Sequence, residues 1–397
     1  MKKTIKIFAL ALLSAALFSC QDAELPVIDN MVYISDAANG SFSSVTMSEG
    51  ETELLFSVRL AQPANEDVKV SIIVDPTILE TYNTTYQTNF KHVESENIDV
   101  PALAVITAGS VSSDPIKMTI QSFETLGAQY AVSFKITSNG SVPVADASSK
   151  FIVQLMKPLK QLVPKFNSSN AMAAMPNTED WGLELMNYTL EWWVKMSALN
   201  INNQAIINSG SNYNEDNCEL YIRFGDLIYS SGWSYDNRFL QIKTMGGQFD
   251  TGNPTTGYAL SDQRWYHFAI TYDGNSGENI LYQDGVAVNS LKTGAGRAMH
   301  MDRFQMCSSG AQYFPNYAEM CQVRLWKTTR TADQIQKNMR SEVEYTNPDL
   351  IMYLPMNEGP GATVLHDVTG NGHDCPIGSL KGTGTYDQAV SWAEYAF

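Results

Sequence analysis

The stretch Arg264–Val288, RWYHFAITYDGNSGENILYQDGVAV, constrains the fold more than any other part of the chain. From Tyr266 onward its residues alternate. Tyr266, Phe268, Ile270 and Tyr272 share one face, while Trp265, His267, Ala269 and Thr271 share the other. A period of two belongs to a strand, because successive side chains leave opposite faces of a sheet. Asp273-Gly274 ends the run, and a polar loop leads to a second alternating segment, Asn279–Gln283. Asp284-Gly285 is a hairpin signal, since Gly accepts the positive φ that a type I′ turn requires. Val286-Ala287-Val288 follows as a third strand. A three-stranded meander with bulky groups on both faces has to lie inside a sandwich.

WYHFAITYDG followed by LYQDG resembles the central hairpin of the laminin-G/pentraxin-like group of concanavalin A-type jelly rolls. TLEWWVKM (Thr189–Met196) is similar to that group's first long strand. VRLWKTTRTADQI (Val323–Ile335) is similar to its late strand and the short helix after it, and MYLPMNEGPGATVLHDVTGNGHD (Met352–Asp374) to its closing strand and Asp/Gly/Asn loop. The matches run in the family's order over 166–397, so the resemblance implies a jelly-roll domain there. Such folds host lectins, glycanases and adhesion modules alike, so function has to come from the site.

Residues 1–19 read as a targeting segment. Lys2, Lys3 and Lys6 form a basic start, Ile7–Leu17 is too short to span a bilayer, and the run ends in Leu17-Phe18-Ser19-Cys20. That ending resembles a bacterial lipobox and implies acylation of Cys20. Residues 20–27 then form a lipidated tether whose acidic start, Gln21-Asp22-Ala23-Glu24, resembles the export tag of surface lipoproteins in polysaccharide-feeding gut anaerobes. The expectation is an outer-membrane lipoprotein on the cell surface, held by its acyl chains. Formal net charge is -16, and it becomes more negative once the three leader lysines are removed. Such a chain without a basic stripe argues against a nucleic-acid partner.

Residues 28–157 read as a separate small β-domain. MVYIS, ETELLFSVRL, DVKVSIIVDP, LAVITAGS, PIKMTIQSF, QYAVSFKITS and SKFIVQLM alternate and are separated by Gly, Pro, Asn and Asp clusters. This spacing suggests an immunoglobulin-like sandwich, interrupted by a short helix or crossover at Ile78–Phe90. VSIIVDP, Tyr82-Asn83, ITAGS and YAVSFKITS resemble an N-terminal domain of unknown function. It is found in surface lipoproteins of glycan-utilisation loci and before family 18 endo-β-N-acetylglucosaminidases. Residues 158–165, with two prolines in KPLKQLVPK, are expected to be a short stiff linker. The whole chain is therefore expected to be all-β, an immunoglobulin-like sandwich followed by a concanavalin A-like, laminin-G-type jelly roll.

Catalytic chemistry is hard to find. Retaining glycosidases hold two carboxylates about 5 Å apart, and on related folds they sit at alternate positions of one strand. Neither Glu-x-Asp-x-Glu nor Glu-x-Asp-x-x-Glu occurs. Glu215-Asp216 with Glu219 lies in a loop with the wrong spacing, and Glu342 with Glu344 lies at a helix end, so both read as solvated surface. Gly-x-Ser-x-Gly is absent, the five histidines form no tight pair, and the expectation is a chain that is not an enzyme. Cys218, Cys307, Cys321 and Cys375 match no zinc spacing. Cys307 and Cys321 either form a cross-strand disulfide or remain two buried thiols.

Glycan binding needs less: an aromatic face beside polar groups that meet hydroxyls. Loops of the second domain supply that combination. Candidate binding residues are Trp233, Tyr235, Asp236 and Asn237 in YSSGWSYDNR, Tyr213, Asn214 and Asp216 in YNEDN, and Tyr317 in QYFPNY. Trp192 and Trp193 face opposite ways on one strand, which leaves Trp193 as a candidate within a concave groove. Asp367 and Asn371 in HDVTGNG offer oxygen ligands for a structural calcium, although a metal-free glycine turn reads the same in sequence. The reading is a surface protein that captures oligosaccharide, by resemblance N-glycan or mannoside, for a neighbouring transporter or glycosidase. A glycosidase with an unrecognised site and a protein-binding adhesion module are the alternatives.

Overall fold

The structure is a computed structural model describing residues 29–138, 140, 142–174, 181–210, 216–228, 235–252, 259–380 and 389–397. Two β-sandwiches follow one another along the chain. In the first, a sheet runs in the order Phe42–Thr46, Lys150–Met156, Tyr130–Ser138, Val68–Val74, Leu103–Ile106, with Lys91–His92 also pairing Tyr130–Ser138. It faces Glu51–Phe56, Ile116–Gln121 and Ile98–Asp99 across a core that includes Val70, Phe134 and Val153. Helix α1 (Pro76–Tyr86) fills the expected interruption. Asp75 caps it by accepting from Thr77 N at 3.1 Å, Pro76 takes the first turn, and Gln87 closes it with φ 53°.

The second sandwich is built around the meander. Trp265–Asp273, Glu278–Gln283 and Val286–Lys292 pair antiparallel, and Asp284 and Gly285 take φ 50° and 80° as a type I′ turn requires. Their sheet continues through Asn187–Met196, Ala318–Trp326, Lys160–Phe166 and Ser391–Ala396, with Leu350–Leu354 also on Ala318–Trp326. The smaller sheet runs Met172–Ala174, Phe304–Met306, Gln204–Ser209, Leu220–Phe224, Leu240–Thr244, Gly247–Asp250. Between them, Tyr188, Leu190, Trp192, Phe268, Ile270, Ile222 and Ile242 form one close-packed core.

The opposite face of the larger sheet is covered too. Helix α2 (Ala332–Asn338), opened by a capping box between Thr331 and Gln334, lays Ile335 on Ala269 and Tyr282. Beneath the cover lies a buried polar layer. Glu191 is fully buried, accepts from Trp326 Nε1 at 2.7 Å, and lies 3.3 Å from Arg330 Nε. His267 stands 3.7 Å from the same carboxylate. Burial, with Arg324 and Arg330 nearby, nevertheless lowers the imidazole to about 3 and keeps it neutral.

The expected linker is mostly not a linker. Lys160–Phe166 is a strand, paired with Ser391–Ala396 along its length and with Ala318 and Glu319 at its end. Prolines suggested a break, but Pro164 is accommodated opposite Trp392, and the stretch between the domain sheets shrinks to 157–159. Cys307, Cys321 and Cys375 are buried free thiols, so Cys307 and Cys321 are not bridged, and Cys218 is buried too. Burial pushes the Cys307 thiol up to about 12.

Candidate functional site

The outer face of the smaller sheet is polar where a solvent-covered sheet would carry mixed, well-exposed groups. One cross-strand row reads Ala173, Gln305, Asn208, Tyr221, Lys243 and Gln248. The next reads Ala205, Arg223, Gln241 and Asp250. Period two creates both rows. Leu220, Ile222 and Phe224 point into the core, so Tyr221 and Arg223 point out, and likewise Leu240 and Ile242 set Gln241 and Lys243 outward. Gln241 is only 2% exposed and Asn208 6%, so these polar groups sit in a recess. Glu219, Tyr221, Arg223 and Lys243 line a depression of about 380 Å³.

Hydrogen bonds hold this surface still. Arg223 donates through Nε and Nη2 to Gln241 Oε1 and through Nη1 to Asn203 Oδ1, and its Nη2 is paired with Asp226. Tyr221 Oη donates to Asn203 Oδ1 at 3.0 Å. At one end, Asn202 and Asn237 converge on Gly225, whose φ is +87°. A Cβ there would meet Asn237 Oδ1 at 2.9 Å and Asn202 Oδ1 at 3.2 Å. Both amide oxygens are buried and accept no hydrogen bond from a described group. Buried acceptors without donors are costly.

The loop candidates fare unevenly. Trp233, Tyr213 and Asn214 lie outside the described residues, as do the side chains of Asp216 and Tyr235. Asp236 is spent on its own turn: Arg238 donates to it from N, Nε and Nη2 and holds its carboxyl below the usual range. Tyr317 is 42% exposed with Lys165 Nζ 4.8 Å from its ring, and its backbone is tied to Ser197.

Trp193 is a correction. It stands on the larger sheet's outer face, away from the depression, is 5% exposed, and donates from Nε1 to Met339 O at 2.7 Å. The segment carrying α2 covers it, so it has no free face for a sugar. Asp367 accepts from Tyr353 N, from Thr369 N and Oγ1, and from both N and Nδ1 of His373. Burial alone would raise its carboxyl, but these donors hold it below the usual value. Asn371 Nδ2 donates to the carbonyls of Leu350 and Ile351. The turn is therefore closed by protein donors, which fits the metal-free form of this motif. Among the described residues no group of three or more His, Cys, Asp or Glu is placed to hold a metal ion.

A family description of the concanavalin A-like lectin/glucanases superfamily matches residues 167–336. The second domain is a concanavalin A-like domain. A further family, described only as an N-terminal domain, matches 28–143. Among solved structures, a candidate carbohydrate binding protein from Bacteroides ovatus ATCC 8483 is similar at 19% identity and a TM-score of 0.64, over 92% of this chain and 97% of that one. EndoBT-3987 of Bacteroides thetaiotaomicron, solved with a Man5GlcNAc product, is 18% identical over 32% of this chain and 30% of that one, with a TM-score of 0.28. A SAP-like pentraxin from Limulus polyphemus is 13% identical over 43% and 82%, with a TM-score of 0.27. The last two scores are too low to establish a common fold. The first shows that the two-sandwich architecture recurs. No curated protein sequence matches the chain.

What the sequence reading missed in the concanavalin A-like domain is the sheet face itself. The signal was present, since Tyr221/Arg223 and Gln241/Lys243 are the polar members of two alternating strands.

Proposed function

We propose that the concanavalin A-like domain binds oligosaccharide on the outer face of its smaller sheet, without cleaving it. One observation carries this reading: a recess of about 380 Å³ that combines Tyr221 with the fixed polar groups of Arg223 and Lys243. Tyr221 offers a ring to the C–H face of a pyranose, and the surrounding amides and cations meet its hydroxyls. Among the described residues Glu219 is the only carboxylate lining the depression, which supports binding over glycoside hydrolysis. Resemblance to a carbohydrate binding protein of the same two-domain build supports the reading.

Calorimetric titration of the full chain with neutral and high-mannose oligosaccharides is expected to give modest affinity. Tyr221→Ala should weaken binding about tenfold, which corresponds to ~1.4 kcal/mol. Unchanged affinity in a folded Tyr221→Ala protein would remove the site from this face. New reducing ends in the same mixtures would show an enzyme.

The capture role includes an anchor. Leu17-Phe18-Ser19-Cys20 supports acylation at Cys20 and display at the outer surface, beside a transporter or glycosidase that consumes the glycan. Cys20→Ala should shift the protein from the membrane fraction to the released fraction and abolish fatty-acid labelling. A variant still labelled and membrane-bound refutes the anchor.

A further inference from the structure

The two sandwiches meet around a cleft of about 490 Å³, within the range of about 300–1,000 Å³ typical of ligand sites and at the kind of junction where such sites concentrate. Its walls are tied together. Tyr345 N donates to Leu126 O at 3.1 Å, Leu159 N to Arg340 O at 3.3 Å, and Gln129 Nε2 to Asn338 Oδ1 at 3.4 Å, while Lys91 pairs with Glu344 at 2.6 Å. The shape is thus present before any ligand arrives.

The charge in the cleft runs against the rest of the molecule. Lys157, Lys160, Lys337 and Arg340 line it, opposed by Glu342, in a chain whose net charge is -16. Arg340 forms no ion pair with a described residue. The lysines pair only loosely: Lys157 with Glu342 at 3.8 Å, Lys160 with Glu394 at 3.2 Å, and Lys337 with Asp333 at 2.9 Å, all from well-exposed ammonium groups. Exposed pairs of this kind are weak and give way to a better-placed anion. Gln129, Gln154 and Asn357 add amides, and Met47 and Phe397 add apolar contact. Cations for an anionic group, amides for hydroxyls and an apolar wall for C–H faces make a set that a simple anion would not use.

We infer that this cleft is a second ligand site, separate from the outer face of the smaller sheet, and takes a short acidic oligosaccharide bearing carboxylate or sulfate groups. The site needs both domains, which gives the N-terminal sandwich a role in recognition.

The test is titration of the full chain in about 0.15 M salt. The probes are a sulfated heparin-type tetrasaccharide, an oligogalacturonate, a neutral mannotetraose and inorganic sulfate. One or both acidic sugars should bind here, and which one does distinguishes sulfate from carboxylate as the recognised group. Mannotetraose and inorganic sulfate should not compete. Arg340→Ala should weaken the acidic sugar about tenfold or more with an unchanged melting temperature, and Tyr221→Ala should leave it unaltered. Lys160→Ala provides a second variant if Arg340→Ala melts early. The inference falls if neither acidic sugar binds, if inorganic sulfate competes equally, if both folded cleft variants bind as the parent does, or if Tyr221→Ala abolishes the acidic binding.

Discussion

Glu191→Ala is expected to destabilise the concanavalin A-like domain by about 3–5 kcal/mol, the range for removing one partner of a buried ion pair. Glu191 is fully buried, and Arg330 is 8% exposed with its guanidinium carbon 4.0 Å from the Trp326 ring centroid. Taking away the carboxylate strands that guanidinium among apolar neighbours and leaves Trp326 Nε1 without its acceptor. The pair itself is not an optimised one. Arg330 Nε lacks an aligned hydrogen-bond acceptor, and Glu191 Oε2 receives no hydrogen bond. Its net worth relative to an apolar core is therefore small, yet breaking half of it is costly, because an uncompensated buried charge remains. Glu191→Gln keeps an acceptor for the indole and should lose less than Glu191→Ala. Urea unfolding followed by tryptophan fluorescence measures both. A Glu191→Ala midpoint equal to that of the parent would show that water reaches this layer and the charges are not buried.

The contrast between the two sheets explains how much was legible from sequence. Trp265–Asp273 could be read because its own period of two fixes both faces, and because Asp284-Gly285 has a single comfortable turn geometry. Adjacent positions Trp192 and Trp193 were rightly assigned to opposite faces, but periodicity cannot say what covers each face. The cover of Trp193 is the segment around α2, far along the chain, and its contact is a backbone carbonyl at Met339 that no side-chain pattern announces. Lys160–Phe166 failed for a related reason, since its partner strand Ser391–Ala396 stands at the other end of the domain. The candidate site was lost differently. Tyr221 and Arg223 occupy polar positions that look like ordinary solvent-facing members of a strand until the sheet places Asn208, Gln241 and Lys243 beside them.

Gly127→Ala should open the junction between the domains while leaving each sandwich folded. Gly127 has φ +73°, where a side chain costs about 1–3 kcal/mol. The space is also closed: a Cβ would lie 1.8 Å from Val343 O and 2.4 Å from Val343 C, both backbone atoms that no rotamer change can move. Either the loop before Tyr130 or the segment Val343–Tyr345 has to retreat, and the Tyr345–Leu126 hydrogen bond and the Lys91–Glu344 pair go with it. The remaining ties are the Gln129–Asn338 hydrogen bond and the short 157–159 connection, where Leu159 still docks on Arg340. Small-angle scattering should therefore record a larger radius of gyration, and limited proteolysis should cut faster near Lys157. The Phe134 and Trp192 clusters should unfold close to the parent because neither includes Val343, and any loss should be confined to the small cluster of Val343 with Trp326, Leu350 and Tyr353. The same variant should weaken acidic-sugar binding in the cleft while sparing the smaller sheet's outer face, because only the cleft is walled by both domains. A scattering profile and cleavage rate identical to the parent's would mean that the junction carries no constraint, and the cleft would then be a groove of chance.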